Sequence, residues 1–258
     1  MSPTEPIPAR PTKVPRAVIF GCAGLRLEQA EHDFFRASNP LGFILFDRNC
    51  DSPGQLTHLV AELRVAVGRA DAPVLIDQEG GRVIRMGAPH WRAPPAAGAI
   101  GALAEHDRMA GRRAAWLNAR LIAADLGHVG IDVCCLPVLD LQFAGASSVV
   151  GDRAFSANAE IVAELGRAAA EGLLAGGVLP VIKHMPGHGR ASSDSHHALP
   201  RVEAPLDELN GSDFRPFRAL RDMPIGLSAH VCYSALDAAL PGTLSAKIIA
   251  EAIRGAIG

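Results

Sequence analysis

No apolar run in this chain approaches the ~20 residues needed to cross a bilayer, and the first 16 residues are rich in proline with no apolar leader core. Both features point to a cytoplasmic protein. There is no basic stripe and no acidic tail; charges of both signs are interspersed and the formal net charge is -2. This argues against nucleic acid or a membrane surface as a partner. Cysteine is sparse and unpatterned. Cys22, Cys50, Cys134, Cys135 and Cys232 are odd in number, lie mostly in apolar segments and show no CxxC spacing. They read as reduced core residues, not as a disulfide framework. No internal repeat or low-complexity segment follows residue 16. What remains is an ordinary globular composition: 258 residues, 48% hydrophobic and 20% charged, enough for one large domain with a buried core. The expected organisation is a flexible start over 1–16 and a single domain over 17–258, with a small neutral or mildly charged ligand.

Along the chain, short apolar runs alternate with longer helical patterns. The strand candidates are 17–22, 42–46, 73–77, 131–140, 179–182 and 224–230, and the helix candidates 27–37, 54–69, 105–126, 158–175, 206–220 and 244–257. This rhythm predicts a parallel α/β fold. Polar groups recur where strands end: Asp77, Asp140, Lys183 with His184, and His230. Several strands that each aim a polar residue at one rim describe a (β/α)8 barrel of the TIM type, since an open doubly wound sheet gathers its site at one crevice. Only six strands are accounted for, which leaves the last two of eight missing.

The densest chemistry lies in Lys183-His184-Met185-Pro186-Gly187-His188-Gly189, followed by Asp194-Ser195-His196. Pro186 lacks an amide donor and the glycines favour non-helical angles, so this is a loop where a buried strand leaves the core. Asp77-Gln78-Glu79-Gly80-Gly81-Arg82-Val83-Ile84-Arg85 predicts a tight paired-glycine turn with two arginines beside Asp77; it has neither P-loop nor dinucleotide spacing. Gly151-Asp152-Arg153 sets an arginine before a helix, able to fork onto a carboxylate or a ligand hydroxyl. His184, His188, Asp194, His196 and His197 are residue types that zinc accepts. The Pro-Gly between the first two prevents the one-face helical presentation of an HExxH site, so neither a metal nor another cofactor is expected. His90 and Trp91 could stack on a sugar, with packing the simpler role; Trp116 reads as core; His230 is open between lining a pocket and sitting in the core.

Taken together, these motifs resemble the family 3 glycoside hydrolases of the bacterial β-N-acetylglucosaminidase type that work in peptidoglycan recycling. The likeness runs from Gly42-Phe43-Ile44-Leu45-Phe46-Asp47-Arg48-Asn49 through Ile76-Asp77-Gln78-Glu79-Gly80-Gly81-Arg82-Val83, Pro137-Val138-Leu139-Asp140-Leu141 and Gly151-Asp152-Arg153 to Asp194-Ser195-His196. The resemblance implies a barrel that removes terminal β-linked N-acetylglucosamine, with N-acetylglucosaminyl-1,6-anhydro-N-acetylmuramic acid and its peptides as the substrate. It implies that Asp77, Arg85, Arg153, Lys183 and His184 hold the sugar. His196 would be the general acid/base and Asp194 its orienting partner.

An imidazole with an ordinary pKa near 6.5 can give a proton to the leaving oxygen and then take one from water. The common retaining plan uses two carboxyl groups, so a His-Asp acid/base departs from it. Because an imidazole repels phosphate less than a carboxylate does, phosphorolysis stands beside hydrolysis as an alternative. In the family resembled, the nucleophile is an aspartate after the seventh strand, beyond the segment matching 253–258. The expectation is therefore a chain carrying the sugar grip and acid/base without the nucleophile, either a fragment or a non-catalytic sugar-binding relative, with the fragment favoured. Neither Asp140 nor Asp237 fits the nucleophile's place.

Overall fold

The computed structural model describes residues 14–146, 148–191 and 199–258. Six parallel strands form one sheet in the order β1 (Arg16–Phe20), β2 (Pro40–Leu45), β3 (Val74–Ile76), β4 (Val133–Cys134), β5 (Leu179–Met185) and β7 (Ile225–Ser228). Between them run α1 (Gln29–Ser38), α2 (Pro53–Val67), α3 (Ala97–His106), α4 (Arg108–His128), α5 (Ala159–Ala175), α6 (Leu206–Gly211) and α7 (Phe214–Ala219). The two-residue strands β6 (Arg201–Val202) and β8 (Cys232–Tyr233) pair separately, and a π-helix covers Ile248–Ile257. These are six consecutive strands of a (β/α) barrel, with β1 and β7 as the open edges of the sheet.

The central strands β3 and β4 are buried on both faces and β2 and β5 largely so, which is why they read as unbroken apolar runs, while the edge strands β1 and β7 contain no buried residue. Side chains on a strand alternate between faces. Leu75, Val133 and Val181, with Cys135 just after β4, form a small cluster with Ile44 and Ile225 on the inner face. Val74, Ile76, Cys134 and Ile182 point the other way, into the large core shared with the helices. Continuing the inner row by two residues leads from Leu75 to Asp77 and from Val181 to Lys183. The barrel's inner face therefore ends in a carboxylate and an ammonium at its C-terminal rim.

The structure departs from the sequence expectations where one residue interrupts a longer pattern. The helix expected over 105–126 is α4, and a further helix, α3, precedes it where no helix was expected; the two meet at Asp107, whose carboxylate accepts from the Ala110 amide at 3.0 Å and caps α4. The helix over 206–220 breaks at Ser212 and the buried Asp213, which Arg190 binds. The fourth strand shrinks to two residues because the Leu136 amide turns back to the Cys134 carbonyl and Pro137 has no amide to donate. The chain rejoins the sheet at Val138, which bridges to Lys183, and the Leu139 amide donates to the Lys183 carbonyl at 2.7 Å. The last helical stretch is a π-helix beginning at Ile248. No described helix is long and apolar enough to cross a membrane. The five cysteines are free, four of them buried. Burial pushes the Cys22 thiol up to about 11 and that of Cys50 to about 12, so both stay protonated.

Candidate functional site

Asp77 leaves β3 into the paired-glycine turn. Gly80 (φ 103°) and Gly81 (φ 57°) both adopt left-handed angles, and a Cβ on Gly80 would sit 2.3 Å from the Pro95 carbonyl oxygen. The turn is held by Gln78, whose buried amide accepts from the Arg85 and Met86 backbone and donates to the Met86 carbonyl. It thereby returns Arg85 to Asp77, with Arg85 Nη2 3.4 Å from Asp77 Oδ2.

Lys183 bridges the two carboxylates of this turn. Its Nζ lies 2.7 Å from Asp77 Oδ1 and 2.5 Å from Glu79 Oε1, and the residue is 1% exposed. Arg153, presented by the short turn at Gly151–Arg153, donates Nε to Glu79 Oε2 and Nη2 to Oε1, both at 2.8 Å, and Nη1 to the Val149 carbonyl. Arg82 ties that same loop down, binding Asp152 and the Ser148 and Val149 carbonyls. Burial alone would raise the pKa values of Asp77 and Glu79, yet both are held below the ordinary range. Lys183 with Arg85 does this for Asp77, and Arg153 with Lys183 for Glu79. Burial likewise opposes the charge on Lys183, but the two carboxylates outweigh it and raise its pKa. The cluster is therefore fully ionised at neutral pH.

A second cluster adjoins it. Asp140 is fully buried and accepts from the His188 amide at 2.7 Å, the His184 amide at 3.3 Å and His184 Nδ1 at 2.6 Å. Burial would lift its pKa, but the neighbouring histidines and the His188 amide bring it down to about 2. An ionised Asp140 only accepts, so Nδ1 carries the hydrogen and Nε2 of a neutral His184 is left as an acceptor. The His188 ring lies 5.6 Å from that of His184, and burial lowers its pKa. The loop is fastened at Gly187, whose carbonyl accepts from the buried Tyr233 hydroxyl at 2.8 Å, and at Arg190, which stacks over Phe143 at 3.9 Å and binds Asp213.

Asp77, Arg85, Arg153, Lys183 and His184 are thus gathered at one rim, linked directly or through Glu79 and the Lys183–His184 backbone. Asp194 and His196 lie outside the described residues. His230 is exposed, with Nδ1 2.6 Å from the Thr243 hydroxyl, and lies in neither cluster. Trp91 and Trp116 are partly buried against the core, and His90 packs edge-on against Trp91. No group of three or more His, Cys, Asp or Glu among the described residues has a metal-binding arrangement. Sequence reasoning missed Glu79 and Gln78 and gave Asp140 no role. The available signal was a second acid two residues after Asp77, beside a turn carrying more cations than one carboxylate could pair.

Residues 19–258 match the family model described as glycosyl hydrolase family 3 N terminal domain. The chain belongs to that family. The family 3 chain is 41% identical over 225 residues to a protein named beta-hexosaminidase from Methylococcus capsulatus, covering 86% of itself and 65% of that protein. It is 36% identical to another of that name from Bordetella avium, covering 95% of itself and 69% of the relative. Among solved structures it is similar to NagZ from Neisseria gonorrhoeae in complex with N-trifluoroacetyl-D-glucosamine. That match has a TM-score of 0.88 and 36% identity, over 95% of this chain and 72% of the other. The family 3 chain therefore spans about two thirds of the length of these curated relatives.

Proposed function

We propose that this protein is a β-N-acetylhexosaminidase that removes terminal β-linked N-acetylglucosamine, with N-acetylglucosaminyl-1,6-anhydro-N-acetylmuramic acid and its peptides as the natural substrate in cytoplasmic cell-wall recycling. One observation carries the reading: a family 3 barrel whose rim holds Asp77, Lys183 and Arg153 as one ion-paired set around Glu79, with His184, bonded to Asp140, beside it. Residues 17–258 act as one domain in this reading, with 1–16 outside it. Free, protonated cysteines fit a reducing compartment.

The unused donors suit a sugar. Lys183 has three N–H groups, of which Asp77 and Glu79 take two; Arg153 has five, of which Glu79 and Val149 take three. The remainder can donate to hydroxyls or to an acetamido carbonyl, Asp77 can accept from a hydroxyl, and His184 Nε2 can accept from another. The described carboxylates at the rim grip and orient. Asp77 and Glu79 are paired with cations and Asp140 with His184, while Asp237 accepts from the Ser245 hydroxyl and the Ala239 and Leu240 amides. In the retaining reaction a carboxylate nucleophile, which none of the described carboxylates supplies, would take the anomeric carbon as the glycosidic bond breaks; His196 protonates the departing oxygen and later takes a proton from the water that releases the sugar, with Asp194 fixing its tautomer.

The test is release of a chromophore from a β-N-acetylglucosaminide by the full-length protein. Turnover is expected, with kcat falling about 10²- to 10⁴-fold in His196→Ala, the usual worth of a general acid/base. An intact substrate, together with no binding of N-acetylglucosamine, would end the proposal; binding without turnover would leave a sugar-binding relative.

A further inference from the structure

Glu79 holds two cations of the sugar grip, Arg153 and Lys183, from the side away from where a sugar would lie. Its side chain is 4% exposed and both carboxylate oxygens are occupied, Oε1 by Lys183 Nζ and Arg153 Nη2, and Oε2 by Arg153 Nε. It lies two residues past Asp77, 74 before Arg153 and 104 before Lys183 in sequence. Among the described residues it is thus the acid that locks both a cation of the Gly151–Arg153 turn and a cation of β5 to the β3 turn. We infer that Glu79 is a positioning residue: it fixes Arg153 and Lys183 so that their remaining N–H groups converge on the bound amino sugar, and it makes no contact with that sugar itself. This deepens the sugar-hydrolase reading and rests on it for the ligand class.

Geometry and charge both require an acid here. A carboxylate presented side-on to a guanidinium accepts two parallel N–H groups, which fixes the plane of Arg153 as well as its position. With Glu79 ionised, the cluster of Asp77, Glu79, Lys183, Arg153 and Arg85 sums to one positive charge. A neutral residue at 79 would leave two, with the buried Lys183 paired to Asp77 alone. The two cations would then separate by repulsion or draw Asp77 inward, and either movement spoils donor directions set for a ligand. An amide at 79 keeps the shape yet presents an NH₂ to one of the cations, where only an acceptor fits.

The experiment uses the full-length protein and its Glu79→Gln and Glu79→Asp variants, with N-acetylglucosamine as the probe. Two readouts are taken: ligand affinity by NMR titration well below the melting temperature, and the Arg153 Nε–H resonance, assigned by its loss in Arg153→Lys. The unsubstituted protein should show a slowly exchanging, hydrogen-bonded Arg153 Nε–H. In Glu79→Gln that signal should move and exchange rapidly, and affinity should fall about tenfold or more, the usual worth of hydrogen bonds to charged groups. Glu79→Asp, charged but one methylene short, should fall between the two and carries the comparison if the amide variant does not fold. A role limited to stability would lower the melting temperature while leaving both readouts unchanged in the folded protein, and that result overturns the inference. If the unsubstituted protein binds no N-acetylglucosamine, the hydrolase reading and its ligand class fall. The Nε–H signal still decides whether Glu79 positions Arg153.

Discussion

Asp140 shows how a residue remote from the ligand can set what the ligand meets. Fully buried, it spends one oxygen on two backbone amides and the other on His184 Nδ1, so it fixes both the loop and the tautomer of the ring. In Asp140→Asn the amide nitrogen can donate to the ring, which would leave Nδ1 unprotonated and place the hydrogen on Nε2. The acceptor facing a sugar hydroxyl would then become a donor. We expect kcat/KM for a chromogenic β-N-acetylglucosaminide to fall about 10- to 100-fold, the range for losing a charge-assisted hydrogen bond. Most of the loss should appear in KM, because His184 is proposed to bind and His196 to transfer the proton. An unchanged KM in the folded variant would count against the tautomer argument. The residues proposed to bind sugar stood out in sequence as charged groups at strand ends or in glycine-marked turns, and the family resemblance implied their role. The roles of the residues that organise them were not legible. Asp140 meets His184 across 44 residues and Glu79 meets Arg153 across 74, so although a second acid beside Asp77 stands out in the turn, its distant partners cannot be read from the residues next to it.

Among the elements, the same contrast holds for a physical reason. The six strands of the sheet could be read because each is apolar on both faces, a pattern that depends only on the strand itself. The division of 97–128 into α3 and α4 could not, since it depends on how α3 leans on the Arg153 loop. Gly101 lies where α3 crosses Phe155, and a Cβ there would stand 1.5 Å from the Phe155 carbonyl oxygen; Gly98 meets Asp152 and Ala154 in the same way at 3.3–3.5 Å. The helix thus backs the segment that presents Arg153. Gly101→Ala should push that segment outward, costing about 1–3 kcal/mol by overpacking and lowering the melting temperature by several degrees. Since Arg153 must travel with its loop, sugar affinity should fall with it. Gly127→Ala is the comparison: its added methyl meets nothing within 4 Å, so affinity should hold. A thermal scan and a ligand titration on both variants check this, and equal behaviour would separate α3 from the site.

Over the whole molecule, most of the shifted buried ionisable groups favour the folded state near neutrality, the Asp213 carboxyl, raised by burial, being the exception, and their signs set its pH window. Asp77, Glu79 and Asp140 have folded pKa values below their unfolded ones. Their stabilisation is therefore complete above the unfolded carboxylate range, near pH 4, and is lost as pH falls through the folded values. For Asp140, going from 3.8 to about 2, this amounts to about 2 kcal/mol. His188 acts earlier on the same limb. Burial depresses its pKa below 6.5, so the unfolded chain takes up a proton first and stability begins to decline below that pH. On the alkaline side the buried thiol of Cys22 and the partly buried thiol of Cys50, raised from 9.0 to about 11 and about 12, contribute fully below the unfolded value and lose that contribution as pH rises past it. Lys183, also raised, follows at higher pH. Urea unfolding at pH values from 2 to 11 should accordingly give a plateau near pH 7–8.5, a shallow fall below 6.5 and a steep one below 4. The steep limb belongs to the rim carboxylates. Asp140→Asn should therefore be less stable than the unsubstituted protein on the plateau, with the gap narrowing as pH drops toward 2, where the unsubstituted residue is itself becoming neutral. A gap that stays constant from pH 7 to 2 would mean that the charge on Asp140 contributes nothing to the fold.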